Sequence, residues 1–295
     1  MHLFILRQES VNKMRAIVFA KRNLKEILRE PLSLIFNFAF PIVMLFLFYC
    51  FIIGKDKATI EKTMPMFLPD NIVPSIVIFG FSFLTLFTGM LVAKDRSTAF
   101  AIRLKASPLT PFELFMGYFI PMIIIAYIQM FVVYFAGFIF SLMTEVTFNL
   151  LNFRILLTFV ANLPIMIFFI AIGILIGLLV NDKAVGGIAS LIVNLAAITS
   201  GMFMPIHQMG GFKYIATALP FFHAVSFSQN IISNFYPNDV DAFSSIQMMY
   251  ESMGINVTYT IFDTWWMHML FVIVFACIIV GITIFVFRYK LKKDK

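Results

Sequence analysis

Six long apolar runs constrain this chain more than any other feature. They cover Leu32 to Ile53, Ile72 to Ala93, Leu114 to Leu142, Ile155 to Val180, Ala184 to Pro205 and Met267 to Phe287, and charge is almost absent from them. A bilayer core is about 30 Å thick and takes about 20 apolar helical residues to cross. Each run meets that length. Inside lipid every backbone N–H and C=O needs a partner from its own segment, so the runs are predicted to be helices. Only 13% of the residues are charged, against about a quarter in soluble domains. An ordinary globular enzyme is excluded.

The net charge of +7 raises the question of nucleic acid, and its distribution answers it. Residues 1–31 carry Arg7, Lys13, Arg15, Lys21, Arg22, Lys25 and Arg29 against Glu9, Glu26 and Glu30. The loop 94–113 carries Lys94, Arg96, Arg103 and Lys105 against Asp95 and Glu113. The tail after Phe287 is basic, whereas residues 54–71 balance and 206–266 are acidic. Basic loops alternating with non-basic ones follow the positive-inside rule. Both termini are predicted to be cytoplasmic, and no nucleic-acid partner is implied. Residues 1–30 lack the pattern of a cleavable leader, so the first span is expected to serve as its own insertion signal.

Residues 11–30 are predicted to form a basic amphipathic helix on the inner membrane surface, with Ile17, Phe19, Ala20, Leu24, Ile27 and Leu28 on its apolar side. Pro31 ends it. Between the second and third runs, Pro108 and Pro111 break a cytoplasmic stretch, and Ser107 or Thr110 is placed to cap the helix that follows. The preceding Ala99 to Ala106 segment is read as a short surface helix. Pro164 is expected to kink the fourth run. Gly173 and Gly177 form a small-xxx-small pair suited to close helix packing. Within 206–266, Phe212 to Phe227 is apolar with Pro220 in its middle, and Val225 to Phe235 is read as a second short helix. Each is too short to span, and they are read as a re-entrant or interfacial hairpin on the outer side. Trp265 and Trp266 open the last run, where an aromatic belt would put them. Cys50 and Cys277 are expected to be buried small hydrophobes, with no disulfide.

Several chemistries are missing. There is no G-x-x-x-x-G-K-[ST] loop to cradle phosphates and no H-E-x-x-H, and His2, His207, His223 and His268 are scattered. The polar residues well inside the runs are neutral, such as Gln129, Asn162 and Asn194. Ion-coupled transporters keep ionisable groups at mid-bilayer, so the energy for any transport is expected to come from elsewhere.

Three segments carry a family resemblance. They are KRNLKEILREPLSLIFNFAFPIVMLFLF (21–48), AIRLKASPLTPFELFMGYFI (101–120) and LAAITSGMFMPIHQMGGFKYIATALPFFHAVSFSQNI (195–231). In order and placement they resemble the permease subunit of a type 2 ABC exporter. The resemblance implies an all-α membrane protein with six transmembrane helices, an N-terminal cytoplasmic interfacial helix, and an external re-entrant hairpin before the last span. It divides the chain into the cytoplasmic N-terminus (1–31), spans one to five with a coupling helix near 99–110 (32–205), the external loop (206–266), and the sixth span with its basic tail (267–295).

The same resemblance implies partners and sites. Two permease chains would pair, as homodimer or heterodimer, above two separate ATPase subunits. ATP and Mg would bind there and no cofactor would bind this chain. Arg103, Leu104, Lys105, Ser107, Pro108 and Leu109 would dock on the ATPase, helped by Arg22, Lys25 and Arg29 of the interfacial helix. Phe79, Phe83, Phe87, Asn194, Thr199 and Met202 would line the substrate path, although core packing is the ordinary role of any single Phe in such a stripe. Pro205, Pro220, Phe221 and His223 would form an external lid. The chain itself would not be an enzyme. A Phe- and Met-rich path suits an amphipathic drug-like or lipid-like substrate, exported across a plasma membrane, with residue usage that hints at a bacterial source. Polysaccharide or glycolipid export, a stand-alone secondary transporter or pore, and a non-transporting scaffold are the alternatives.

Overall fold

Prolines set where several helices start. In the computed structural model, which describes residues 16–56, 59–60, 68–98, 109–144, 148, 150–203, 206–232 and 265–293, α1 covers residues 16–28 and Pro31 opens α2 (Pro31–Cys50). Pro69 opens α3 (Pro69–Ser97) and Pro111 opens α4 (Pro111–Ser141). Proline lacks the N–H that a first-turn residue would leave unused, and its φ is preset for a helix. Thr110 caps α4 as expected. Its hydroxyl accepts from the Glu113 N–H, and the Glu113 carboxylate accepts from the Thr110 N–H, a complete capping box.

The fourth apolar run is two helices, α5 (Phe153–Ala161) and α6 (Leu163–Leu179), joined at Asn162 with Pro164 in the first turn of the second. The expected interruption at Pro164 is thus a break one or two residues upstream. α7 (Asp182–Thr199) follows a short turn and ends at Ser200–Gly201, where Gly201 takes φ +79°, a conformation that favours glycine. A short 3-10 segment (Ile206–Phe212), α8 (Lys213–Ala218) and α9 (Pro220–Ile232) form the hairpin region. The break falls at Leu219–Pro220, earlier than the second short helix expected from Val225, because Pro220 can start a helix but not continue one. The last helix is α10 (Trp265–Lys293).

The described residues contain helices and no strand. Five helices are long and apolar enough to cross a membrane: Pro69–Ser97, Pro111–Ser141, Phe153–Leu179, Asp182–Thr199 and Met267–Lys290. The apolar stretch of α2 is shorter, Leu34–Cys50. The count by length and composition is therefore five where six were expected.

α3 is the central helix and packs against α2, α4, α6, α7 and α9. Its contact with α6 is the closest. A Cβ on Gly177 would lie 2.5 Å from the Gly89 carbonyl oxygen, and one on Gly173 would lie 2.7 Å from that of Thr85. Helices in lipid have no hydrophobic drive toward each other, so this backbone approach supplies the dispersion contact instead. Thr85 adds a hydrogen bond to the Phe169 carbonyl at 3.0 Å. Both cysteines are free thiols, and where burial was expected both are exposed on the apolar outside of the bundle.

Candidate functional site: the α1 end of the bundle

α1 buries Ala16, Phe19, Ala20 and Asn23 against the bundle, one face at helical spacing. Ile17, Val18 and Leu28 point outward with Lys21, Lys25 and Arg29. The apolar side expected from sequence is therefore split between two faces. The buried face meets the start of α4. The Phe19 ring lies edge-on to Tyr118 at 5.1 Å between centroids. It occupies the space a side chain at Gly117 would need, since a Cβ there would come within 2.0 Å of the ring.

An ionic cluster ties α1 to the end of α3. Arg22 Nη1 donates to Asp95 Oδ2 at 2.7 Å and Nη2 pairs with Glu26 at 2.6 Å. Tyr118 Oη donates to the same Asp95 oxygen at 2.9 Å. Lys94 pairs with Glu26 at 3.4 Å and with Glu30. Asp95 is 1% exposed, and a carboxylate so placed is tolerable only with a cation and a hydrogen-bond donor on it. Burial alone would lower the Arg22 guanidinium. The hydrogen bond and charge of Asp95, then the charge of Glu26, outweigh that and hold it above its ordinary value.

Cations also close the C-terminus of α6, whose last carbonyls have no helical partner. Arg96 donates to Gly177 O at 2.6 Å and contacts Val180 O at 3.5 Å, and Lys290 of α10 donates to Leu178 O. Positive charge at a helix C-terminus also suits the helix dipole. The ends of α3, α6 and α10 thus meet α1 and the start of α4 in one charged layer.

Of the expected docking residues, Arg22 is turned inward into this layer, while Lys25 and Arg29 are exposed. Leu109 packs on the main core just before the Thr110 cap. Arg103, Leu104, Lys105, Ser107 and Pro108 lie outside the described residues. Their flanks do not: Thr98 ends α3 and Leu109 precedes α4, both at this end of the bundle.

The expected path residues fall into two groups. Phe79 is buried and joins Phe40, Phe83 and Phe203 in an aromatic cluster with centroids 5.1–6.4 Å apart. Phe87 is half-buried beside the core. Thr199 and Met202 are buried, and Asn194 is exposed. Among the lid residues, Pro220 starts α9, and Phe221 stacks on Phe169 at 5.4 Å. His223 is buried, and its Nδ1 lies 2.8 Å from Nδ1 of His268. Its Nε2 lies 2.8 Å from the Thr217 carbonyl. A carbonyl only accepts, so Nε2 carries the proton and Nδ1 accepts from the Nδ1–H of His268. Pro205 lies outside the described residues.

Sequence reasoning missed Asn23, Tyr118 and His268, and treated Asp95 and Lys94 only as loop charges. The signal for Asn23 was a polar residue at the fourth position of an otherwise apolar face. No group of three or more His, Cys, Asp or Glu side chains gathers into a metal-binding cluster among the described residues.

Long apolar helices tied together by polar groups at the ends of the bundle are the architecture of a multi-pass membrane protein. The family model described as "ABC-2 type transporter" matches residues 15–233. The chain belongs to that family: it is a membrane permease of an ABC transporter, not its ATPase, and membership implies ABC ATPase partners. No curated protein and no solved structure matches the chain.

Proposed function

We propose that this permease is the membrane half of an ATP-driven exporter, moving an amphipathic drug-like or lipid-like substrate out of the cell. ATP and Mg bind on two separate ATPase subunits. The observation that carries the reading is the charged layer at the α1 end. It brackets residues 99–108 between two fixed points, the Thr98 end of α3 and the Thr110 cap of α4. A partner pushing on that segment moves the ends of two spanning helices at once. The basic excess around this layer supports a cytoplasmic side for it and for both chain termini under the positive-inside rule.

In this reading α2 is the sixth span, a short apolar helix completed by residues at its ends. The stripe Gly187, Ser190, Leu191, Asn194 and Ile198 of α7 is exposed along one helix face. A polar Asn194 is costly against hydrocarbon, so a second permease chain suits that face better than lipid does. Phe40 and Phe203, each partly exposed beside the buried Phe79, supply an apolar wall for the substrate near that face. The hairpin formed by Ile206–Phe212, α8 and α9 is external.

The test is co-purification with a co-expressed ABC ATPase, followed by turnover and transport assays. Arg103→Glu is expected to cut ATP turnover of the complex by about tenfold, the cost of reversing one well-placed charge contact. Unchanged assembly and turnover in Arg103→Glu would remove the docking role. Uphill transport by the permease alone would overturn the whole reading.

A further inference from the structure

Three prolines lie inside the described apolar helices α2, α3 and α4, namely Pro41, Pro74 and Pro121, and the first and last share one arrangement. A proline at position i lacks the N–H that would bond the carbonyl at i−4, so that carbonyl is left without its helical donor. Pro41 in α2 frees Asn37 O, and the Gln129 side chain of α4 supplies the missing donor at 3.4 Å. It passes through the gap left by Gly80, where a Cβ would lie 2.3 Å from Gln129 Nε2. Pro121 in α4 frees Gly117 O. Here the donor is Asn23 Nδ2 of α1, at 3.0 Å and buried.

The second case has a consequence the first lacks. Asn23 Oδ1 accepts from Arg22 Nη1 at 2.8 Å, the same nitrogen that holds Asp95. One continuous hydrogen-bonded line therefore runs from Asp95 at the end of α3, through Arg22 and Asn23 of α1, to the proline-weakened turn of α4. Phe19 sits on the same turn through the Gly117 gap.

The geometry points to Asn23 as a positioning residue for transport: it couples α1 to the turn of α4 at Pro121, so that a shift of α1 is transmitted as a change of bend in α4. A turn missing one backbone bond is the cheapest place for a spanning helix to change direction. Asn23 is the donor that sets it. The transport role rests on the exporter reading above, whereas the control of the α4 bend does not.

The experiment separates the two. Cys50 and Cys277, both exposed, are replaced by Ser, and spin labels are placed at Phe112 and Leu142, exposed at the two ends of α4. Their distance is measured by pulsed electron resonance in nanodiscs. Asn23→Ala is expected to shift or broaden the distance distribution. Pro121→Ala restores a backbone N–H to Gly117 O, so Asn23→Ala/Pro121→Ala is expected to fold well and give one narrow distribution of a straighter helix. In the complex with its ATPase, transport per ATP is expected to fall about tenfold in both, the scale of one buried hydrogen bond made in one state and not the other. Pro121→Ala alone, whose fold is safest, is expected to lose transport per ATP in the same way.

An unchanged distance in Asn23→Ala sinks the proposal. So does a double variant that recovers transport along with its helix, because Asn23 would then only satisfy a stray carbonyl. If the wild-type complex moves nothing on ATP, the exporter reading fails, while the distances still decide whether Asn23 sets the bend.

Discussion

The two ends of the bundle are built from different chemistry. At the α1 end, charges join the helices: Arg22, Glu26, Lys94 and Asp95 link α1 to α3, and Arg96 and Lys290 close α6. At the hairpin end a set of ties is neutral. Gln229 of α9 donates to Asn71 O at 3.0 Å and to Ser75 Oγ at 2.9 Å on α3. Ser228 donates to Asn162 Oδ1 at 2.6 Å, where α5 meets α6. Tyr134 and Thr158 share a hydrogen bond at 2.8 Å, and His223 meets His268. Removing one partner of a buried ion pair costs about 3–5 kcal/mol, whereas removing one partner of a buried neutral pair costs about 1–3 kcal/mol. The α1 end is thus the costlier of the two to break, and the hairpin end the cheaper.

The sharpest way to break this contrast is to remove one charge. Arg22→Ala leaves Asp95 buried with only Tyr118 on it. We expect a loss of about 3 kcal/mol in stability, the lower part of the range for a broken buried pair because Arg22 is itself a third exposed. The readout is thermal unfolding of the detergent-purified permease. Arg22→Ala/Asp95→Asn is expected to recover much of the loss, since no buried charge is then stranded. Equal losses in the single and double variants would show that Arg22 acts through packing and not through Asp95.

The matching change at the other end is milder. Gln229→Ala removes two donors, but Ser75 Oγ keeps its bond to Asn71 O at 2.7 Å, so neither acceptor is orphaned. The expected cost is about 1 kcal/mol in the same assay. A loss as large as that of Arg22→Ala would erase the distinction between the ends.

How far each end could be read from sequence follows the same division. Apolar runs reveal spans because lipid forces every span to be long and apolar, and Pro31, Pro111 and the Thr110–Glu113 pair mark helix starts through local chemistry alone. Gly173 and Gly177 were legible for the same reason, since their spacing puts them on one face. What joins the helices was not legible. Asn23 and Gln129 bond to backbone carbonyls, which every residue carries, so no side-chain pattern advertises the partner. Arg22 looked like any solvated arginine of a basic helix until the fold set Asp95 and Tyr118 beside it. His223 and His268 lie 45 positions apart, on elements whose contact only the tertiary fold supplies. The segment expected to dock, between Arg103 and Pro108, lies outside the described residues.

The weakest expected effect sharpens the contrast most, because it should touch one end only. Burial holds His223 below the ordinary imidazole value, although its bond to the Thr217 carbonyl acts the other way. A histidine kept neutral in the fold binds its proton more readily when unfolded. Its contribution is therefore complete above the unfolded value of about 6.5 and shrinks as pH falls below it. A proton added to His223 Nδ1 also meets the Nδ1–H of His268, so the pair must rearrange or separate. Hydrogen exchange of the α9 backbone is expected to quicken, after correction for intrinsic rates, between pH 7 and 5, while that of α1 stays level over the same window, since the Arg22 guanidinium remains charged throughout. His223→Gln, which keeps a donor for Thr217 but does not titrate in that range, should flatten the α9 response. A response that persists in His223→Gln would place the pH-sensitive group outside His223, with His268 of α10 across the contact the first alternative, and His223 would lose the role assigned to it.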